Sequence, residues 1–172
     1  MERSAPNKIQ IIGSVGSGKS TLARRLSTLL GIPYHELDNV VWKRSDQGDI
    51  RNSDEERDAI LQEILASDRW IIEGVHYKWV LDGFEQAELI IYLDTGIRKR
   101  NYRILKRFLV QKLGLEKGNY KQTFSMLRRM YRWNYDHQHR EKAEIFKILE
   151  NYRDKLLILN DNTDVEKHIF RT

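Results

Sequence analysis

Residues 13–20 read Gly13-Ser14-Val15-Gly16-Ser17-Gly18-Lys19-Ser20, which fills every fixed position of the phosphate-loop pattern G-x-x-x-x-G-K-[ST]. Residues 9–12 ahead of it are a short run of strand type. Residues 21–30 behind it carry Leu22, Leu26, Leu29 and Leu30 on one helical face. Strand, glycine loop, helix is the order the pattern requires. It constrains the chain to an α/β fold and points to a nucleoside-triphosphate site.

The residue types follow from the chemistry. Such a loop holds phosphates with backbone N–H groups, so side chains must stay clear of the anion. Gly16 and Gly18 supply positive φ and close approach. A helix opening near Lys19 aims its positive dipole end at the phosphates. Lys19 is expected to reach the β- and γ-phosphates, Ser20 to ligate Mg²⁺ and Thr21 to face the α-phosphate. Gly13, Ser14, Val15 and Ser17 complete the cradle, with ATP or GTP and Mg²⁺ as the expected cofactors.

The 172 residues suffice for one domain with a substantial core. Hydrophobic residues make up 40% and charged residues 32%, a soluble globular balance. With no cysteine, disulfides, thiolate metal sites and thiol nucleophiles are excluded. No apolar run approaches the roughly 20 residues of a membrane span. Residues 1–7 lack the apolar core of a signal peptide, so the expectation is a cytoplasmic protein with no membrane partner. The net charge of +5 is uneven: residues 98–153 hold 16 Lys+Arg against 5 Asp+Glu. A basic block beside a phosphate loop reads as a clamp on phosphates, as a nucleic-acid surface, or as solvated helix faces.

Strands are predicted at about 8–12, 34–37, 70–73, 89–93 and 156–159, with residues 43–52 as a loop. Helices are predicted from the loop to about 30, from a capping box at Ser53–Glu56, over 97–112, and at about 120–136 and 140–153, with a short terminal helix after 160–162. Gly114 and Gly118 interrupt the basic stretch. Alternating strands and helices predict a three-layer α/β/α domain with a parallel sheet. Ligands then bind at the carboxyl edge, which puts the loop, Asp38, Glu73 and Asp94 along one rim.

The whole chain resembles the nucleoside-monophosphate-kinase-like group of P-loop proteins. Within it, the chain is most similar to the DNA topology modulation, or FlaR-like, proteins. The matching segments are residues 13–21, Leu37-Asp38 followed by Trp42, residues 70–74, and residues 91–94 followed by residues 103–107. The resemblance implies a single domain over 1–172, a five-stranded parallel sheet of order 2-3-1-4-5, and a basic helical lid at about 112–140. It implies that Glu73 holds Mg²⁺ through water. Arg103 and Arg107 open the lid, one beside the base or ribose and one on phosphate. Arg128, Arg129, Arg132 and Arg140 are the lid candidates for neutralising the transferred phosphoryl group, Arg132 and Arg140 being carried forward as catalytic. Asn160 lies in a loop beside the nucleobase. Residues 73–77 lack the proline-arginine ending of the adenylate kinase motif, which argues against AMP as acceptor.

Several residues stay open between two readings. Asp38 either orients the acceptor hydroxyl or serves as a turn residue. Asp94 either joins the Mg²⁺ shell or caps the next helix. Tyr34, His35, Trp42, His76, Tyr77 and Trp79 either stack on an acceptor or pack. Residues 136–139 read as a polar turn in preference to a metal site. Tyr131, Trp133 and Tyr135, interleaved with arginines, suit a lid or single-stranded nucleic acid. The expectation is therefore a nucleotide-kinase-type phosphotransferase acting on a nucleotide, nucleoside or similar hydroxylated acceptor. The alternative is a nucleotide-binding regulatory or nucleic-acid-binding protein.

Overall fold

The computed structural model of the chain describes residues 5–45, 48–114, 123–163 and 165. In chain order the elements are β1 (Lys8–Gly13), α1 (Lys19–Leu30), β2 (Tyr34–Glu36), α2 (Leu37–Val41), β3 (Trp42–Lys43), β4 (Ile50–Arg51), α3 (Asp54–Leu65) and β5 (Trp70–Gly74). Then follow α4 (Leu81–Gln86), β6 (Leu89–Leu93), α5 (Ile97–Lys112), α6 (Phe124–Asp136), a π segment (His137–Glu141), α7 (Lys142–Leu149), a 3₁₀ turn (Glu150–Lys155) and β7 (Leu156–Leu159).

Five parallel strands form one sheet in the order β2-β5-β1-β6-β7. The strands β3 and β4 pair only with each other, antiparallel. Setting that hairpin aside, the order is the expected 2-3-1-4-5. Side chains alternate between two apolar layers. Ile9, Ile11, Ile71, Ile91 and Leu93 pack with Leu22 and Leu26 of α1. Ile12, Trp70, Ile72, Ile90 and Tyr92 pack with Leu37, Leu65, Phe84, Ile145 and Leu149. Because both faces are covered, the central strands read as continuous apolar runs.

The predicted capping box is present: Ser53 Oγ accepts from the Glu56 N–H at 3.1 Å, and Glu56 Oε2 accepts from the Ser53 N–H at 2.9 Å. Three elements differ from expectation. Leu37 leaves the second strand and opens α2, which turns Asp38 toward the cleft. The stretch expected as a loop over 43–52 contributes the β3–β4 hairpin, and α4 was not foreseen. The expected break near 137–139 is absent, because the π segment continues the helix from α6 into α7 and buries His137. Gly118 and the terminal helix expected beyond 162 fall outside the described residues, apart from Val165, as does the start of the lid helix before Thr123. Among the described residues no helix is long and apolar enough to cross a membrane.

Candidate active site

The loop between β1 and α1 has the conformation its glycines require. Gly16 has φ 76° and Gly18 φ 102°. A Cβ on Gly16 would stand 2.9 Å from the Arg100 carbonyl oxygen, and one on Gly18 would stand 2.7 Å from Asn162 Nδ2. Either substitution would combine strained backbone with a collision. Thr95 Oγ1 and Arg103 Nη1 both donate to the Ser17 carbonyl, at 3.0 and 2.7 Å. Carbonyls of the loop are thus occupied from outside.

Lys19 is 8% exposed. Its Nζ donates to the Ser14 carbonyl at 2.9 Å, and among the described residues no carboxylate forms an ion pair with it. Burial lowers its pKa, with Glu73 and Asp38 opposing. Ser20 Oγ donates to Glu73 Oε1 at 2.6 Å. Burial pushes the Glu73 carboxyl up, against the opposing pull of Lys19 and Ser20. A buried ammonium on the loop and a buried carboxylate on β5 therefore face one cleft, acting on each other without forming an ion pair. The hydroxyl and carboxylate oxygens of Ser20 and Glu73 suit a hard divalent cation such as Mg²⁺. The buried Lys19 suits phosphate.

The loop is walled by α5 and the turn after β7. Besides Ser17, Arg103 donates through Nη2 to Asp161 Oδ1 at 2.7 Å. Lys99 also pairs with Asp161. These two cations hold the Asp161 carboxyl at about 2, against the effect of burial. Asn162 Nδ2 donates to the Gly18 carbonyl at 3.3 Å. It is Asn162 that lines the cleft, while Asn160 is exposed.

The cleft encloses about 1300 Å³. One end is the phosphate loop with Lys19, Ser20, Thr21 and Glu73. Glu36, beside Glu73 in the strand register, Asp38, Trp42, Arg44, Asp49 and the turn from Gly74 to Trp79 form the adjoining wall. Asp38 lies at the head of α2, with His76 Nε2 3.9 Å from its Oδ1. Lys106, Arg107 and Val110 of α5 form part of the wall. Met126, Arg129, Met130, Trp133, His137 and Glu141 complete it from the α6–π unit. Their spacing of three and four residues is one helical stripe.

That stripe sorts the basic residues. Arg107 and Arg129 face the cleft. Arg132 is exposed and outside the cleft wall, and Arg140 is exposed and reaches Asp136 at 3.9 Å. Of the four lid arginines weighed from the sequence, the structure brings only Arg129 to the site. Asp94 is paired with a lysine outside the cleft wall. Lys142 Nζ donates to both its carboxylate oxygens, at 2.7 and 2.8 Å, and it is not part of the cleft wall. The cap of α5 is Gly96, with no side-chain cap. Among the described residues no group of three metal-ligating side chains occurs, at residues 136–139 or elsewhere.

Sequence reasoning missed the buried polar joint beneath α6. Asn134 is 0% exposed, and its Nδ2 donates to Asn101 Oδ1 at 2.6 Å. Tyr92 Oη and His137 Nε2 are 3.1 Å apart. Burial, then Arg100 and Lys19, lower the His137 pKa to about 4. Arg100, 2% exposed, donates to Gln138 Oε1 at 2.6 Å. The available signal was an Asn and a His at apolar spacing on an otherwise amphipathic helix.

A parallel sheet of this order, with a glycine loop, a buried lysine and a paired serine and glutamate at its carboxyl edge, defines a P-loop protein of kinase-like fold. The chain belongs to the AAA domain family, whose profile matches residues 9–109. No curated protein matches it. Among solved structures it is similar to a gluconokinase from Sinorhizobium meliloti 1021, with TM-score 0.51 and 17% identity over 98% of this chain and 90% of that one. It is also similar to a shikimate kinase from Bacteroides thetaiotaomicron, with TM-score 0.51 and 16% identity over 97% and 93%. A shikimate kinase from Acinetobacter baumannii, in complex with shikimate, aligns with TM-score 0.51 and 17% identity over 98% and 92%. At these identities the likeness carries the fold.

Proposed function

We propose that the protein is an ATP- or GTP-dependent phosphotransferase that moves the γ-phosphoryl group to a hydroxyl of a small acceptor. The observation that carries this reading is the buried Lys19, whose ammonium has no ion-paired carboxylate among the described residues. The triphosphate supplies that counter-charge. The kinase fold of the structural neighbours supports the same class.

The roles follow from the geometry. Residues 13–21 bind the phosphates through backbone N–H groups and Lys19. Ser20 and Glu73 would hold Mg²⁺, which would supply charge neutralisation at the phosphates. Arg107 and Arg129 balance charge at the transferred group. Arg103 and Asn162 fix the loop that faces the base. Asp38 accepts a hydrogen bond from the acceptor hydroxyl and orients it for in-line attack. The α6–π unit covers the cleft and excludes water.

The test is direct detection of a phosphorylated product from Mg·ATP over a panel of hydroxyl compounds, by phosphorus NMR. The proposal requires a product with at least one acceptor and no product in Lys19→Ala. The DNA topology modulation reading has no support in the comparisons. Tight, salt-sensitive DNA binding without any phosphoryl transfer would favour it.

A further inference from the structure

We infer that the acceptor carries no negative charge: it is an uncharged or cationic hydroxyl compound with a flat or apolar face. This rests on the phosphotransferase reading above. The walls of the cleft differ in charge. On the sheet side Glu36, in strand register with Glu73, and Asp38 both line the wall, and neither forms an ion pair with Lys or Arg among the described residues. Asp38 also raises the Lys19 pKa from across the cleft, and the basic group paired with it is His76, 3.9 Å away, whose pKa burial lowers, which favours the neutral ring.

The lining cations on that side are already matched, and Arg51 beside Trp42 is exposed outside the wall. Arg44 pairs with Asp49, and Lys78 Nζ lies 3.5 Å from Glu144. Arg57, behind the wall, is held by Asp54 and Asp58 and lies 4.6 Å over the Trp79 ring. Besides Lys19, the lining cations unmatched among the described residues, Arg24, Lys106, Arg107 and Arg129, stand on α1, α5 and α6. Arg107 is close enough to lower the Lys19 pKa. Arg129 lies on α6, whose Asn134 touches the loop at Ser14. A phosphate or carboxylate on the acceptor would therefore meet Glu36 and Asp38 without a committed partner, in a setting where like charges repel strongly.

The neutral surface on the sheet side is aromatic. Trp42, Tyr77 and Trp79 line it, with the His76 and Trp79 ring centroids 5.2 Å apart. Such faces accept a flat ring or the apolar side of a sugar or cyclitol. Carboxylates and aromatic faces together select hydroxyl and ammonium groups over oxyanions.

The experiment compares matched pairs as acceptors with Mg·ATP: nucleosides against their 5′-monophosphates, polyols against the corresponding sugar acids, and an aminocyclitol. The uncharged or cationic member should be preferred by about tenfold or more in kcat/KM, because one charge at close range is worth at least that factor. Glu36→Gln, which leaves Asp38 and the loop intact, should narrow the preference mainly through KM. If the anionic member serves equally well or better, the acceptor class is overturned while the phosphotransferase stands. If Glu36→Gln leaves the preference unmoved, its electrostatic ground is lost and the inference falls. If no compound of either set accepts phosphate, the phosphotransferase reading fails and this inference fails with it.

Discussion

Ser14 Oγ donates a hydrogen bond to Asn134 Oδ1 at 3.3 Å, joining the phosphate loop to a buried side chain 120 residues later in the chain. Asn134 Nδ2 also donates to Asn101 Oδ1 on α5. The loop, α5 and the lid helix thus meet at one amide. A rearrangement of the loop on phosphate binding must be felt at α6.

Asn134→Leu keeps the volume and removes both hydrogen bonds, leaving Asn101 without its buried partner. A loss of about 1–3 kcal/mol is expected. Thermal unfolding measures it. Hydrogen exchange over residues 124–141 should slow when a non-hydrolysable triphosphate binds the wild type, and slow less in the variant.

Glu73→Gln keeps the shape of the Ser20 partner but removes its charge. Turnover should fall by about 100-fold or more, the scale for losing one preorganised charged contact. Nucleotide affinity should change far less. Asp94→Asn is the control. It breaks a part-exposed pair with Lys142 and should cost about 1 kcal/mol or less of stability, with Mg²⁺ dependence unchanged.

His137 makes the fold sensitive to acid. Its pKa falls from the usual 6.5 to about 4 because burial, Arg100 and Lys19 disfavour the cation. Lys142 acts in the same direction, Asp94 opposes it, and Tyr92 and Glu141 contact the ring. The stability linked to a neutral ring is fully present above pH 6.5. It is lost as pH falls through about 4, by about 3 kcal/mol in all. Denaturant unfolding across that range measures it, and His137→Phe should flatten that part of the profile.

The lid arginines divide by helical face. Arg129→Ala and Arg107→Ala should reduce turnover by about tenfold or more, as expected for groups facing a transferred phosphoryl. Arg132→Ala and Arg140→Ala should leave kcat within about twofold, as for exposed residues away from the site. Steady-state kinetics on the four variants decides between this assignment and a lid whose opposite face closes on the nucleotide.

Most of the fold was legible because its signals are local. The phosphate loop fixes a strand, a turn and a helix in 23 residues (Lys8 to Leu30). Two-sided burial then turns the remaining strands into short apolar runs. The position of Glu73 at the end of β5 was readable for the same reason, whereas Asp38 stands on α2 just beyond β2. What could not be read depends on helix rotation and on distant partners. A run of arginines 128, 129 and 132 does not say which face packs, and the continuous π joint at 137–141 resets that face. Asp94 found Lys142 across 48 residues. Asn134 found Ser14 across 120. Neither separation leaves a trace in local pattern.

The most direct test measures γ-phosphoryl transfer from labelled ATP, with and without Mg²⁺, in the wild type, Lys19→Ala and Glu73→Gln. The account predicts Mg²⁺-dependent product in the wild type, near-complete loss in Lys19→Ala and a large loss with retained nucleotide binding in Glu73→Gln. Transfer that survives Lys19→Ala, or a wild type that binds triphosphate and passes its phosphoryl group to no hydroxyl acceptor, would contradict it.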